Sequence, residues 1–239
     1  HAKFYKPDEH GYVNNFQAYL AIALLVDLPP DDVKDAVWQR FEDEIRIHRK
    51  GHFWGGITGG YFIVKALLEF NRPDLMFEMA TKEDYPGWGD MLRKGATTVW
   101  ESWPGDKSLL HSSYLHIGAW YMEGLGGIQI DRHHPGMQHF ILRPAILNRP
   151  SLNWVKTSYE SLYGRIVSQW RLKEGMVQVH VIVPPNATAT LVLPAEDAAD
   201  VRESGLPLAD AAGVGEVREE QELVKVELMP GRYAFTITN

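Results

Sequence analysis

The stretch Gly95-Ala-Thr-Thr-Val-Trp-Glu-Ser-Trp-Pro-Gly-Asp106 sets one carboxylate, Glu101, between two tryptophans, Trp100 and Trp103. Glycine and proline bound the segment, so it reads as a loop. Aromatic faces beside a carboxylate suit sugars. The apolar C–H faces of a sugar ring lie against an indole, and glycosidic bonds are commonly cleaved by paired Asp or Glu residues. A Trp-rich core turn with an ion-paired Glu has the same composition. The choice between them depends on the elements that carry the loop.

Those elements are helical up to about residue 125 and strand-like after about residue 136. From Phe16 to Val26 nearly every position is apolar, which predicts a helix buried on all sides. Leu28-Pro29-Pro30 stops it, and Val33, Val37, Phe41 and Ile45 then recur at helical spacing opposite a charged face. The pair repeats, with an apolar helix from Thr58 to Phe70 and a shorter segment from Leu75 to Ala80. A third apolar helix is predicted from about Ser108 to Met122. Apolar helices recurring roughly every 45 to 50 residues signal stacked supersecondary units. Buried helices alternating with amphipathic ones are what two concentric helix rings require, so the first half is expected to be part of an α/α hairpin barrel.

In such a barrel the segments entering the inner helices gather at one end. Here they are His10–Asn15, Gly51–Gly56 and the long stretch Tyr85–Lys107, which hold much of the Gly, His and Trp of the helical half. Long loops in compact domains are usually functional. Trp54 is therefore a candidate for the rim of a sugar cleft, with a plug of the barrel end as the plain alternative. Past Gly124-Leu-Gly-Gly127 the period changes to two. Strands are predicted over 152–163, 165–172, 176–183, 188–193, 223–228 and 232–238, an antiparallel sandwich. The expected organisation is residues 1–130 as barrel hairpins and residues 131–239 as β-sandwich.

The bulk numbers exclude some classes. A chain of 239 residues with 45% hydrophobic and 23% charged residues is globular, and its net charge of −7 argues against nucleic acid as a partner. Without cysteine there are no disulfides and no thiolate chemistry. His133 and His134 are adjacent but lack a third ligand at helical or strand spacing, so no metal is expected. No apolar run is long enough to span a bilayer. A soluble protein is the expectation, cytoplasmic or periplasmic rather than membrane-bound, with the compartment left open.

Tyr85-Pro-Gly-Trp-Gly-Asp-Met-Leu-Arg-Lys-Gly-Ala-Thr-Thr-Val-Trp-Glu-Ser-Trp103 resembles the segment around the catalytic base of bacterial α-L-rhamnosidases of glycoside hydrolase family 78. So do Ser108-Leu-Leu-His111, Ile117-Gly-Ala-Trp120, Gly11-Tyr-Val-Asn-Asn-Phe-Gln17 and Gly56-Ile-Thr-Gly-Gly60. Gly164-Arg-Ile-Val-Ser-Gln-Trp170 is similar to the family's C-terminal β-sandwich. The resemblance implies an inverting hydrolase of terminal α-L-rhamnosides that uses no cofactor and no metal. It makes Glu101 the general base and His111 a contact to the bound sugar. Trp100 and Trp103 would flank the sugar subsite or buttress the base. The family's general acid sits in an acidic motif far upstream, and no such motif occurs here. The chain also starts with His, and it shows fewer than half the helices that six hairpins require. The expectation is the C-terminal part of a catalytic module that needs an N-terminal polypeptide for the remaining hairpins and the acid. The alternatives are another six-hairpin glycosidase, or a carbohydrate-binding or structural subunit without turnover.

Overall fold

In a computed structural model that describes residues 1–238, the chain divides into a helical unit, His1–Trp120, and a β unit from Tyr121 onward. The helical unit opens with a short ribbon of β1 (Tyr5–Lys6) and β2 (Gly11–Tyr12). The apolar run forms α1 (Gln17–Leu25), and the amphipathic segment forms α2 (Asp31–Asp43), which continues as a π-helical stretch over Glu44–His48. Two more helices complete the repeat, α3 (Gly56–Glu69) and α4 (Pro73–Ala80). Helices α1 and α3 approach closely because Gly59 faces Ala18: a Cβ on Gly59 would sit 2.5 Å from the Ala18 methyl. The π-helical continuation of α2 is held to α4 by ions, with the Arg46 guanidinium 2.8 Å from Asp74 and 2.7 Å from Glu78.

Two expectations for this half need correction. The inner helices are not buried on all sides. Tyr19 on α1 and Ile57 and Tyr61 on α3 point outward, Tyr61 with 56% of its surface exposed. The helix expected over 108–122 is absent for most of its length. Only Ile117–Ala119, α6, is α-helical, and it passes into a π-helical stretch over Trp120–Leu125. Residues 108–111 instead bond back to 98–101, which takes the backbone groups a helix would use. Inside the long loop lies an unexpected short helix, α5 (Trp88–Arg93).

The β unit is a sandwich of two sheets. Its strands are β3 (Ile128–Ile130), β4 (His139–Leu142), β5 (Trp154–Ser161), β6 (Gly164–Lys173), β7 (Met176–Val183), β8 (Thr188–Leu193), β9 (Val201–Glu203), β10 (Leu206–Pro207), β11 (Val214–Glu220), β12 (Leu223–Leu228) and β13 (Gly231–Thr238). One sheet has the order β10-β9-β13-β7-β6-β5, and the other β11-β12-β8-β4-β3. All pairings are antiparallel except β4 with β8, which is parallel. Since β3 pairs with β4, it lies with the sheets although it precedes the boundary expected at residue 130. The period-two residues Val177, Val179, Val181 and Val183 face the core with Phe140, Leu191, Val226 and Phe235. Trp170 anchors that core, its indole N–H donating to the Leu125 carbonyl at 2.9 Å.

Candidate active site

Glu101 sits on a folded-back loop. The Glu101 N–H donates to the Ser108 carbonyl at 2.9 Å, the His111 N–H donates to the Val99 carbonyl at 2.8 Å, and the Thr98 hydroxyl donates to the Leu109 carbonyl. These bonds tie residues 98–101 to 108–111 as two antiparallel arms. At the tip, the Gly105 N–H donates to the Ser102 carbonyl and the Ser102 hydroxyl donates to Asp106 at 2.6 Å. That last bond holds the Asp106 carboxyl below its ordinary range. Gly105 has φ +76°, and a Cβ there would strike the Trp100 ring at 2.6 Å, so only glycine closes the tip.

The Glu101 carboxylate is half-buried. One oxygen, Oε2, accepts from the Ser108 N–H at 3.3 Å; Oε1 has no hydrogen-bond partner among the described residues. A carboxylate fixed through one oxygen and open through the other can hold and deprotonate a water.

His111 lies on the facing arm and is exposed. Its Nδ1 accepts from the Ser113 N–H at 3.0 Å and lies 2.6 Å from the Ser113 hydroxyl. An Nδ1 that accepts from a backbone amide leaves the neutral ring's proton on Nε2, which makes that nitrogen a donor to a ligand. Ser113, buried under the loop, was not singled out in the sequence.

The two tryptophans that flank Glu101 are both 8% exposed. Trp103 stacks on Tyr114, with ring centroids 3.9 Å apart and planes at 22°, and meets Trp88 edge-on at 5.3 Å. Trp100 lies under Gly105. Packed this way, the indoles support the loop from below. Trp54 is different: it is partly exposed, with the Arg49 guanidinium 4.7 Å from its ring centroid.

Two of the three loops expected to converge, 51–56 and 85–107, meet within the helical unit, and the start of α1, just after the first loop, is tied to the second. Gln17, fully buried, donates to the His52 carbonyl at 2.8 Å and accepts from the Trp54 N–H at 2.9 Å. His52 Nδ1 lies 2.9 Å from the Pro86 carbonyl oxygen. Phe53 packs on Trp88 at 4.9 Å and stacks on His116 at 5.1 Å. His116 is the hub of this aromatic group. Its Nε2 is buried and unpartnered among the described residues, and burial pushes the imidazole down to about 4. A Cβ on Gly60 would meet the His116 ring at 2.5 Å, so this glycine makes room for it. Buried Asp90 is paired within the last turn of α5: the Lys94 ammonium, 2.6 Å away, holds its carboxyl below the usual range. Gln17, Phe53, Tyr114 and His116 carry the site's framework; Gln17 and Phe53 lie in stretches that the sequence marks, but the framework role of none of the four is legible in the sequence. His133 and His134 lie in a turn of the β unit, where His134 Nδ1 meets Asp131 at 2.7 Å. No helix among the described residues is long and apolar enough to cross a membrane.

Residues 1–125 match the family model of the bacterial alpha-L-rhamnosidase 6 hairpin glycosidase domain, and residues 127–205 match that of the bacterial alpha-L-rhamnosidase C-terminal domain. An alpha-L-rhamnosidase of Formosa agariphila is 26% identical over 244 residues, covering 97% of this chain and 26% of that protein. One from an Alteromonas species is 32% identical over 155 residues, covering 60% of this chain and 16% of that protein. Among solved structures, the alpha-L-rhamnosidase of Streptomyces avermitilis complexed with L-rhamnose superposes with a TM-score of 0.85 at 23% identity, covering 99% of this chain and 23% of that one. The Dictyoglumus thermophilum enzyme gives a TM-score of 0.86 at 21% identity, covering 100% and 27%. The likeness to these structures is one of fold. The chain spans about a quarter of the length of these relatives.

Proposed function

The chain belongs to the bacterial alpha-L-rhamnosidase six-hairpin glycosidase family, and from that premise we propose that it is the base-carrying part of an inverting enzyme that releases terminal α-L-rhamnose from glycosides or polysaccharide-derived oligosaccharides. Glu101 is the general base. Its open oxygen takes a proton from water as that water attacks the anomeric carbon, and a carboxylic acid on the opposite face protonates the departing glycosidic oxygen. In inverting enzymes the two carboxyl groups stand about 6.5–9.5 Å apart, which leaves room for the water. The acid and the remaining hairpins come from polypeptide outside this stretch.

The observation that carries the reading is the Glu101 loop itself. A carboxylate held through one oxygen and open through the other lies on one arm of the loop, and a histidine whose Nε2 is left as a donor lies on the other. His111 hydrogen-bonds a sugar hydroxyl, and Trp54 offers an indole at the rim. Trp100 and Trp103 sit beneath the subsite and fix the base. The outward Tyr19, Ile57 and Tyr61 support the need for further hairpins, because monomeric proteins rarely leave clustered apolar surface uncovered.

The test uses the full-length protein that contains this chain, acting on an aryl α-L-rhamnoside, with NMR of the first-formed sugar. The β-anomer is expected. Retention of the α-anomer would make Glu101 a nucleophile, and no release at all would leave a binding or structural module. The 239-residue chain alone is expected to be inactive and to aggregate; an active monomer of it would sink the proposal that the acid lies elsewhere.

A further inference from the structure

The outer face of the β10-β9-β13-β7-β6-β5 sheet takes no part in the catalytic reading. Strand register sets Trp154 opposite Arg171 and Arg171 opposite Gln178. The next row sets Lys156 opposite Gln169 and Gln169 opposite His180, and Arg232 lies opposite Ile182 beyond them. The alternate positions Trp170, Val179 and Phe235 point into the core, so these rows share the solvent side. Two grooves of about 680 Å³ and 380 Å³ run over this face and share Lys156 and Gln169. Trp154 is 58% exposed at one end.

The charge here runs against the rest of the molecule. The chain carries a net charge of −7, yet this face collects Lys156, Arg171 and Arg232, all exposed and without a carboxylate partner among the described residues. Glu160, in the same β5 row, is already engaged with Arg165 at 3.4 Å. Unpaired cations on an otherwise acidic protein create a local attractive field for anions. They are separated by neutral hydrogen-bonding side chains, Gln169 and Gln178, and bordered by an open indole. That pattern fits a polymer with occasional negative groups, many hydroxyls and apolar ring faces. Nucleic acid carries a phosphate at every residue and calls for a denser positive lining.

We propose that this sheet face binds a uronate-bearing polysaccharide, with Trp154 stacking on a sugar ring and Lys156, Arg171 and Arg232 meeting its carboxylates. The choice of a sugar rests on the glycosidase reading, but the binding does not pass through Glu101. Affinity electrophoresis of the full-length protein in gels containing polygalacturonate, dextran, a sulfated polysaccharide or single-stranded DNA tests it. Polygalacturonate is expected to retard the protein and dextran to have no effect, with the retardation falling as salt rises. The triple variant Lys156→Ala, Arg171→Ala, Arg232→Ala should weaken the apparent affinity at least about tenfold. Trp154→Ala should weaken it about fivefold. Both variants should keep aryl-rhamnoside hydrolysis, which also reports that they fold. Absence of retardation, or retardation that survives the triple variant, overturns the proposal. Stronger retention by the sulfated polymer or by DNA, with no effect of Trp154→Ala, overturns the assignment to uronates. Retardation by a protein that releases no rhamnose leaves this surface standing and removes the catalytic reading instead.

Discussion

The two units of this chain solve the problem of burying apolar surface differently. In the β unit each strand turns one row of Val, Leu, Ile or Phe inward and the opposite row toward water, and the two inward faces meet in one core. In the helical unit α1 and α3 are apolar on more faces than their neighbours cover. Tyr61 and, on the candidate-site side of the unit, Leu109, Leu110 and Leu115 remain outside, with Leu110 75% exposed. The difference separates two jobs. The β unit closes its core within the sequence at hand, whereas the helical unit leaves apolar side chains outside, as expected if, as proposed, it is one sector of a larger barrel.

The sharpest way to break this comparison is to remove the chemistry from the helical side. Glu101→Gln keeps the side-chain volume and can still accept from the Ser108 N–H, but it cannot take a proton from water. In the full-length enzyme kcat for an aryl α-L-rhamnoside should drop about 10²–10⁴-fold, the usual worth of general-base catalysis. Thermal unfolding should hardly move. A variant within tenfold of full activity would take Glu101 out of the mechanism and leave the helical unit without an assigned role.

The next effect belongs to the β unit. Trp170→Ala empties the centre of a closed core and orphans the Leu125 carbonyl, so it should cost about 3–5 kcal/mol of that unit's stability. Urea titration followed by far-UV CD should show a β transition at lower denaturant. Turnover measured well below that transition should be retained. If kcat falls in step with the β transition, the units do not divide the labour as proposed.

Much of this was legible in the sequence, and the failures are physically specific. Alternating valines defined β7, and apolar runs bounded by Pro or Gly defined α1 and α3. The Glu101 loop stood out by composition. The segment from Ser108 to His116 misled because Leu109, Leu110 and Leu115 are spaced as in a buried helix. Their backbone instead completes the loop, with Glu101 and Val99 bonded to Ser108 and His111, a non-local pairing that no local pattern encodes. Strand β11 escaped because Val214–Glu220 lies at a sheet edge with mostly exposed, charged side chains, which leaves little alternation to read. The framework roles of Gln17 and His116 were hidden for the opposite reason. One is a lone polar residue in an apolar run and the other a His near an apolar turn, and only the fold shows that Gln17 fastens α1 to the 51–56 loop and that His116 packs between Phe53 and Trp88.

His116 provides a pH handle on that fastening. Burial lowers its folded-state value from 6.5 to about 4. Between those limits the unfolded chain binds more protons at this site than the folded one does. Its contribution is therefore complete above pH 6.5 and is lost as pH falls toward about 4. Melting temperature measured across that window should decline with acidification. His116→Phe keeps an aromatic ring against Phe53 and Trp88 and has nothing to protonate, so its decline should be shallower. Parallel curves for the two proteins would mean that the imidazole is not buried in solution.

The smallest effect tests whether the exposed arm of the loop touches ligand at all. His111 holds its Nδ1 on Ser113 and presents Nε2 outward, so removing the ring deletes one donor to a sugar hydroxyl. Such a bond is worth about 0.5–1.5 kcal/mol, which corresponds to roughly a two- to twelvefold loss in affinity. His111→Ala in the full-length enzyme should therefore raise KM and the inhibition constant of free L-rhamnose by that factor. The loop's own pairing uses the His111 backbone N–H and not its side chain, so the fold should be nearly indifferent. His111→Asn can still place an amide donor on the same arm and should recover part of the loss. A KM that stays put while the melting temperature drops by several degrees would assign His111 to holding Ser113 and the turn before α6, and the sugar contact would have to come from elsewhere on the rim.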